Sequence, residues 1–364
     1  AGGCPVLLTE IESTNLLTYS EDFSNNAGWT KIGVSVTSGF LSPDGTTNAY
    51  KMTENTANSS HKLQTPNGVS NSFQIQSIFV KYDNSQQFIQ TTSSRSINNY
   101  VNFDILNKTF TNVGTSVGNI VELNNGWLRL DVYHDSSTTV YWHFITSLTA
   151  AWSESYLGTG KYLLIWGAQV EAQPAATSYI KSNTGSATTR EADLVNGAGS
   201  AATFNSLEHT FFIDLNSVFE SGVFSAISIV GSTGTVGDNR IMILKTTNNT
   251  DVTFQTRSGG STVAFETLSN IDFSVRQKLA ITVKENEIKY YRNGFLVATD
   301  TGTIPLPVSL GQLTLTPGTV DRKLAASTKD IRYYNQVLTA AETLELMSYD
   351  SFNEMASALQ YTIK

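Results

Sequence analysis

Catalysis needs ionisable groups gathered in one place, and this chain has few to gather. Its four histidines, His61, His134, His143 and His209, are too far apart in sequence to form a local metal motif. His143 lies inside an aromatic run, where an imidazole packs or sits at a rim unless a partner sets its tautomer. A Ser-His-Asp site is a matter of geometry, but no Gly-x-Ser-x-Gly elbow is present to raise a serine nucleophile. Glycoside hydrolysis takes two carboxylates about 5 to 9.5 Å apart. Glu191-Ala192-Asp193 comes nearest to the E-x-D-x-x-E strand motif of a sandwich-fold glycosidase family, yet Asn196 stands where its last Glu belongs. Glu285-Asn286-Glu287 reads as a solvated tip between strands. Gly231 to Gly237 and Gly158-Thr159-Gly160-Lys161 resemble phosphate loops only in their glycines, because strand formers and not a helix follow them. The chain is expected not to be an enzyme.

Binding chemistry is better supplied. Sugars stack their C–H faces on aromatic rings and pair their hydroxyls with amides and carboxylates. All five tryptophans, Trp29, Trp127, Trp142, Trp152 and Trp166, lie in the first half of the chain. Trp29 and Trp152 stand in irregular, polar surroundings and are expected to be exposed. In the run Thr139 to Thr146, alternation puts Val140, Trp142 and Phe144 on one strand face and Tyr141, His143 and Ile145 on the other. Alternation alone leaves open which face is core. Trp29, Trp152, Trp142, Tyr141 and His143 are therefore the candidate carbohydrate-binding residues.

The elements that must hold these residues are strands. Charged residues make up 15% of the chain, well below the roughly 25% usual for soluble domains, and Ser, Thr and Asn abound. The first half reads as about eight short strands, among them Phe73 to Val80. The second half repeats the pattern at Thr210 to Leu215, Ile241 to Leu244, Val252 to Thr256 and Lys278 to Val283. Glu287 to Arg292, Asn293-Gly294 and Phe295 to Ala298 predict a hairpin, since Asn-Gly tolerates the positive φ of a type I′ turn. Thr339-Ala340-Ala341-Glu342 and Ser351-Phe352-Asn353-Glu354 match capping boxes, with Phe352, Met355 and Leu359 on one face of the second helix.

The Gly/Ser/Thr/Ala-rich stretch from Ser182 to Ala202 reads as a linker, with the boundary near residue 195. The fold expected is all-β: two tandem antiparallel β-sandwiches and a short C-terminal helical tail. The domains are a docking arm over 1–14, a sandwich over 15–181, a linker over 182–204, a second sandwich over 205–348 and a helical tail over 349–364.

Net charge excludes other roles. With 23 basic and 31 acidic residues the balance is −8, and no basic cluster is available to follow a phosphate backbone, so no nucleic acid is expected. The longest apolar runs fall short of the roughly 20 residues that span a bilayer, so no membrane insertion is expected. Cys4 is the only cysteine; it cannot form an internal disulfide, and no signal-like segment precedes it.

Several segments together carry a resemblance. Asn15-Leu16-Leu17-Thr18-Tyr19-Ser20-Glu21-Asp22-Phe23-Ser24, Trp29, Ser42-Pro43-Asp44-Gly45-Thr46-Thr47, Asn125-Gly126-Trp127-Leu128-Arg129, Ile165-Trp166-Gly167-Ala168-Gln169-Val170-Glu171, Thr177-Ser178-Tyr179-Ile180 and Thr188 to Asp193 occur in the order of a domain common in structural proteins of tailed bacteriophages. That domain resembles carbohydrate-binding-module jelly rolls. The resemblance implies a β-sandwich with glycan affinity and a structural calcium ion near the first strand, for which Glu21 and Asp22 are the acidic candidates. The second half, above all Lys329-Asp330-Ile331-Arg332-Tyr333-Tyr334 through Glu342, resembles a concanavalin A-like, laminin G-like domain.

Together these resemblances imply a virion structural protein on the phage particle surface, associated with a tail or fibre. Its partners would be other virion proteins and host-surface polysaccharide, and it would be homo-oligomeric. A capsid decoration or head-fibre protein without glycan binding is the alternative, and a polysaccharide-degrading enzyme a more remote one.

Overall fold

The computed structural model describes residues 6–66, 69–70, 73–93, 98–135, 139–140, 142–152, 155–173, 175–217, 225–232, 237–248, 250–315 and 324–349. Among them every paired strand is antiparallel and the single α-helix is short, as the β-branched and aromatic runs require. It forms two units, residues 12–191 and residues 1–11 with 192–364.

The first unit is a jelly-roll sandwich of two six-stranded sheets. One runs, edge to edge, Thr109–Val113, Tyr100–Asp104, Phe88–Ser93, Trp142–Ser147, Lys62–Gln64 and Thr30–Ile32. The other runs Val117–Glu122, Trp127–Asp135, Phe73–Lys81, Tyr162–Glu171, Ala49–Glu54 and Val34–Phe40. Between them Phe23, Trp29, Ile78, Phe103, Leu130, Trp142, Phe144 and Ile165 form the core.

The segments that carried the resemblance close this sandwich. The Asn15 side chain, wholly buried, donates to the carbonyls of Ala168 (3.2 Å) and Ile180 (2.8 Å) and accepts from the amides of Leu17 and Val170. The Gln169 amide oxygen accepts from Ile180 N at 2.6 Å, and Glu171 takes the Thr177 amide at 3.1 Å together with the hydroxyls of Ser13 and Thr177. Buried polar groups need such partners. Gly167 sits at a bulge with φ of 57°, and a Cβ there would stand 3.0 Å from the Phe79 ring. The position needs glycine on both counts.

The second unit pairs a six-stranded sheet, Leu7–Thr9, Ala326–Tyr334, His209–Ser217, Gln277–Lys284, Glu287–Arg292 and Phe295–Thr301, with a five-stranded one, Ser261–Leu268, Val252–Ser258, Arg240–Lys245, Ser225–Gly231 and Leu310–Thr314. Its core sets Ile213, Ile229, Ile243, Ile281 and Leu310 around Phe204, Phe211, Phe254, Phe273 and Tyr290. The hairpin turns at Asn293 (φ 49°) and Gly294 (φ 89°) as the dipeptide demands. Helix Ala340–Ser348 starts at a capping box: Thr339 accepts from Glu342 N, and Glu342 accepts from Thr339 N at 2.7 Å. Leu346 and Met347 pack on Phe212, Ala280 and Tyr291, the outer face of the six-stranded sheet. The second expected helix, from residue 351, lies outside the described residues.

Two expectations about the connections give way. Residues 7–9, assigned to a docking arm, are an edge strand paired with Ala326–Thr328. The expected linker is largely pinned: Thr188–Arg190 pairs with Ser13–Asn15, and Ala198 bridges Leu313. Backbone amides satisfied by a strand edge do not need bulky side chains, which is why a Gly/Ser/Thr composition misleads here.

Candidate functional site

Two of the five candidate binding residues meet, and they meet in the core. Trp29 is 1% exposed and Trp142 is 2% exposed, with ring centroids 5.8 Å apart in an edge-to-face contact. Phe23 packs on Trp29 at 5.1 Å, and the indole N–H of Trp29 donates to Tyr19 O at 2.8 Å. Trp29 is thus a core residue and not an exposed platform. Its irregular neighbourhood reflects the chain's entry into the sandwich, where a large ring fills the gap between sheets. Trp127 and Trp166 are enclosed in a separate cluster with Phe79 and Leu164. Tyr141 lies outside the described residues.

His143 faces the other way, onto the outer surface of the sheet. Cross-strand register aligns His143 with Thr92 and Tyr100, and Ile145 with Gln90 and Asn102. His143 and Ile145 are also opposite Gln64 and Lys62. The Lys62 ammonium donates to His143 Nδ1 at 3.1 Å. An outer sheet face this polar is ordinarily wet, yet Gln90, Thr92, Asn102, His143 and Lys62 are all buried.

The cover is the segment after the Trp142–Ser147 strand. Gln90 donates to Ala151 O at 2.6 Å and Ser147 to Thr149 O at 3.0 Å, which folds residues 148–152 over the polar rows. The same fold brings Trp152 to Tyr100, ring centroids 4.9 Å apart, with the indole half-buried. Trp152 is the one tryptophan not enclosed. The candidate site is therefore this aromatic pair at the margin of a covered polar face.

The nearest approach to a catalytic constellation among the described residues is Glu54, Tyr156 and His61 in the same unit. Glu54 accepts from the Tyr156 hydroxyl and the amides of Thr159 (2.7 Å) and Lys161 (3.3 Å), so the Gly158 to Lys161 turn closes on an internal carboxylate. Burial pushes the Glu54 carboxyl up, but these hydrogen bonds outweigh it and hold it below the usual range. Burial and the bond to Glu54 push the Tyr156 hydroxyl up. The His61 ring lies tilted against Tyr156, centroids 4.5 Å apart. All three are buried, and Glu54 spends its acceptors on the protein, which suits closure of the sheet and not attack on a substrate.

Glu21 and Asp22, the calcium candidates, are also committed. Glu21 accepts from Lys181 Nζ (2.6 Å), Asn48 Nδ2 (3.1 Å) and Tyr179 Oη (3.2 Å). Asp22 accepts from Ser24 Oγ (2.5 Å), Ser24 N (3.1 Å) and Tyr50 Oη (3.0 Å). Calcium takes six to eight oxygens; an ammonium on one carboxylate and three donors on the other do not fit that demand. No group of three His, Cys, Asp or Glu side chains placed to hold a metal occurs among the described residues.

The second unit holds what sequence reasoning passed over. A cleft of about 780 Å³ is lined by Asn205, Leu207, Glu208, Lys284, Glu285, Asn286, Thr303, Ile304, Pro305 and Leu306. The expected solvated tip is one of its walls: Asn286, at φ 58°, accepts from Ile304 N at 3.2 Å and ties the turn to the neighbouring loop. Three loops distant in sequence make the cleft, so no local motif marks it.

No family model and no curated protein matches the chain. Among solved structures it is similar to the CBM40 of the Ruminococcus gnavus IT-sialidase bound to α2,3-sialyllactose, at 20% identity and TM-score 0.35, over 43% of this chain and 97% of that one. Mouse laminin α1 domains LG4-5 match at 11% identity and TM-score 0.29, over 78% of this chain and 88% of that one. CG-16, a homodimeric agglutinin from chicken liver, matches at 8% identity and TM-score 0.25, over 39% of this chain and all of that one. At these values no residue role carries across, and the fold rests on the strand pairing itself.

Proposed function

We propose that this chain is a non-catalytic, glycan-binding structural protein of a tailed-phage particle. The observation that carries the reading is Trp152: one indole left half-buried against Tyr100, beside buried amide, hydroxyl and imidazole groups, while the other four tryptophans are enclosed. Stacking on the ring and hydrogen bonds at its margin are what a saccharide requires. The virion role is supported by the order of the phage-domain segments along residues 15–193. The partners in this reading are other virion proteins and host-surface polysaccharide, and a homo-oligomer multiplies weak contacts into useful adhesion.

Two measurements test it. Host polysaccharide fragments titrated into the protein should bind, and Trp152→Ala should weaken them roughly tenfold, about 1.4 kcal/mol, with the fold retained. Immunogold labelling of purified particles should place the chain on a tail or fibre. Labelling on the capsid with no retained glycan would favour a decoration protein.

A further inference from the structure

The cleft of the second unit is open and is lined by Leu207, Ile304, Pro305 and Leu306 together with Glu208 and Glu285. Leu207 is 74% exposed, more than any other large apolar side chain among the described residues. It is not loose. Asn205 Oδ1 accepts from Leu207 N at 3.0 Å, Asn205 Nδ2 donates to Asn335 O at 2.8 Å, and Asn205 N donates to the Tyr333 hydroxyl at 2.6 Å. Beneath, His209 Nδ1 donates to Asn205 O at 2.8 Å. The opposite wall is held by the Asn286 bond to Ile304 N, and Ile304 itself is rooted in the core. A loop whose backbone is held by four hydrogen bonds on Asn205, with Leu207 exposed on it, is a preformed contact surface. Ordering it in advance removes an entropy cost from binding.

The charges at the rim select the ligand. The Lys284 ammonium is paired with Glu287 at 3.0 Å, a carboxylate it shares with Lys289 at 2.9 Å, and two further carboxylates share the cleft with this one cation. Glu208 and Glu285 are exposed and have no hydrogen bond or ion pair among the described residues. Two unanswered carboxylates and the Asn286 amide offer acceptors for hydroxyl or ammonium donors, and they repel anions.

We propose that this cleft is a second saccharide site, specific for neutral glycans and closed to carboxylated ones. Leu207, Pro305 and Leu306 take the C–H face of a pyranose ring, and Glu208 and Glu285 accept its hydroxyls. The proposal rests on the glycan-binding reading above but on different residues in a different unit, so the two can fail separately.

The experiment titrates lactose, maltose and cellobiose, with glucuronic acid as the anionic comparison, into the full chain and follows amide resonances. At least one neutral sugar should shift resonances of residues 205–208, 284–286 and 303–306. Glucuronic acid should not. Leu207→Asp, at an exposed position that leaves the core intact, should weaken the neutral sugar at least tenfold. The Glu208→Lys, Glu285→Lys pair should reverse the preference towards glucuronic acid. Trp152→Ala should leave all of these shifts in place. Loss of binding in Trp152→Ala with no response to Leu207→Asp overturns the cleft and leaves the first site standing. Cleft shifts with no effect of Trp152→Ala on any glycan do the reverse. No shift with any neutral sugar, or equal binding of glucuronic acid, overturns the proposal outright.

Discussion

The sandwich of residues 12–191 encloses four of its five tryptophans, along with a polar sheet face and a buried Glu-Tyr-His cluster. The sandwich of residues 192–349 has no tryptophan, and both units leave large apolar side chains exposed, Leu157 and Leu41 in the first, Leu207 and Phe295 in the second. The two units differ in which ring they use, and not in whether rings fill the space of roughly 10 Å between two packed sheets. In the first unit that space holds Phe23, Trp29, Phe103, Trp142 and Phe144 among a majority of aliphatic side chains. In the second it holds Phe204, Phe211, Phe254, Phe273 and Tyr290 among isoleucine, leucine and valine, with no tryptophan. Aromatic content therefore says how a core is filled and not where a ligand meets the surface. The proposed cleft is marked instead by an exposed apolar residue, Leu207, on a loop whose backbone is tied down.

The contrast breaks most sharply at Trp29. Trp29→Ala opens a cavity in the first core and removes contacts to Phe23 and Trp142, at a cost of about 4 kcal/mol. Denaturant unfolding followed separately in the two units, by resonances of each, should show the loss in residues 12–191 alone. An unchanged midpoint there would mean that Trp29 is no core residue.

A second test treats the units alike. Burial lowers His134 in the first unit and His209 in the second from 6.5 to about 4. The folded chain keeps each imidazole neutral while the unfolded chain protonates it, so stability is complete above pH 6.5 and is lost as pH falls towards 4. The loss is about 3 kcal/mol per histidine once pH passes below both values. Carboxylates held low, such as Glu54 and Asp22, act only at more acid pH. Melting between pH 7 and 4.5 should show this slope in both units. His134→Gln should flatten it in the first unit only.

The smallest effect sharpens the contrast between buried and exposed charge. Lys108 and Glu122 form an ion pair with both side chains about half exposed. Lys108→Ala should change stability by less than about 1 kcal/mol, because such pairs are screened by solvent. A larger change in thermal melting would show that this edge of the first unit carries more than a solvated pair.

Much of the architecture was legible one segment at a time. The strand Gln277–Lys284, the turn at Asn293-Gly294 and the cap at Thr339 follow from alternation, positive-φ tolerance and reciprocal hydrogen bonds, all of which act within a few residues. The candidate site was legible only in part. Alternation placed His143 and Trp142 on opposite faces, which holds, but it did not say that the Trp142 face is the core or that residues 148–152 cover the other. Trp29 misled because polar neighbours in sequence are not neighbours in space.

What the sequence by itself determined is the β period, the two-sandwich division, the turns and the helix start, because each depends on backbone preferences and short-range bonds. What only the tertiary structure decided is which faces are covered, which indole remains open and where three loops make a cleft. Those depend on partners such as Ala151, Ile180 and Ile304, brought from afar by the packing of whole sheets. Burial is a property of the assembled surface, and no single segment carries it.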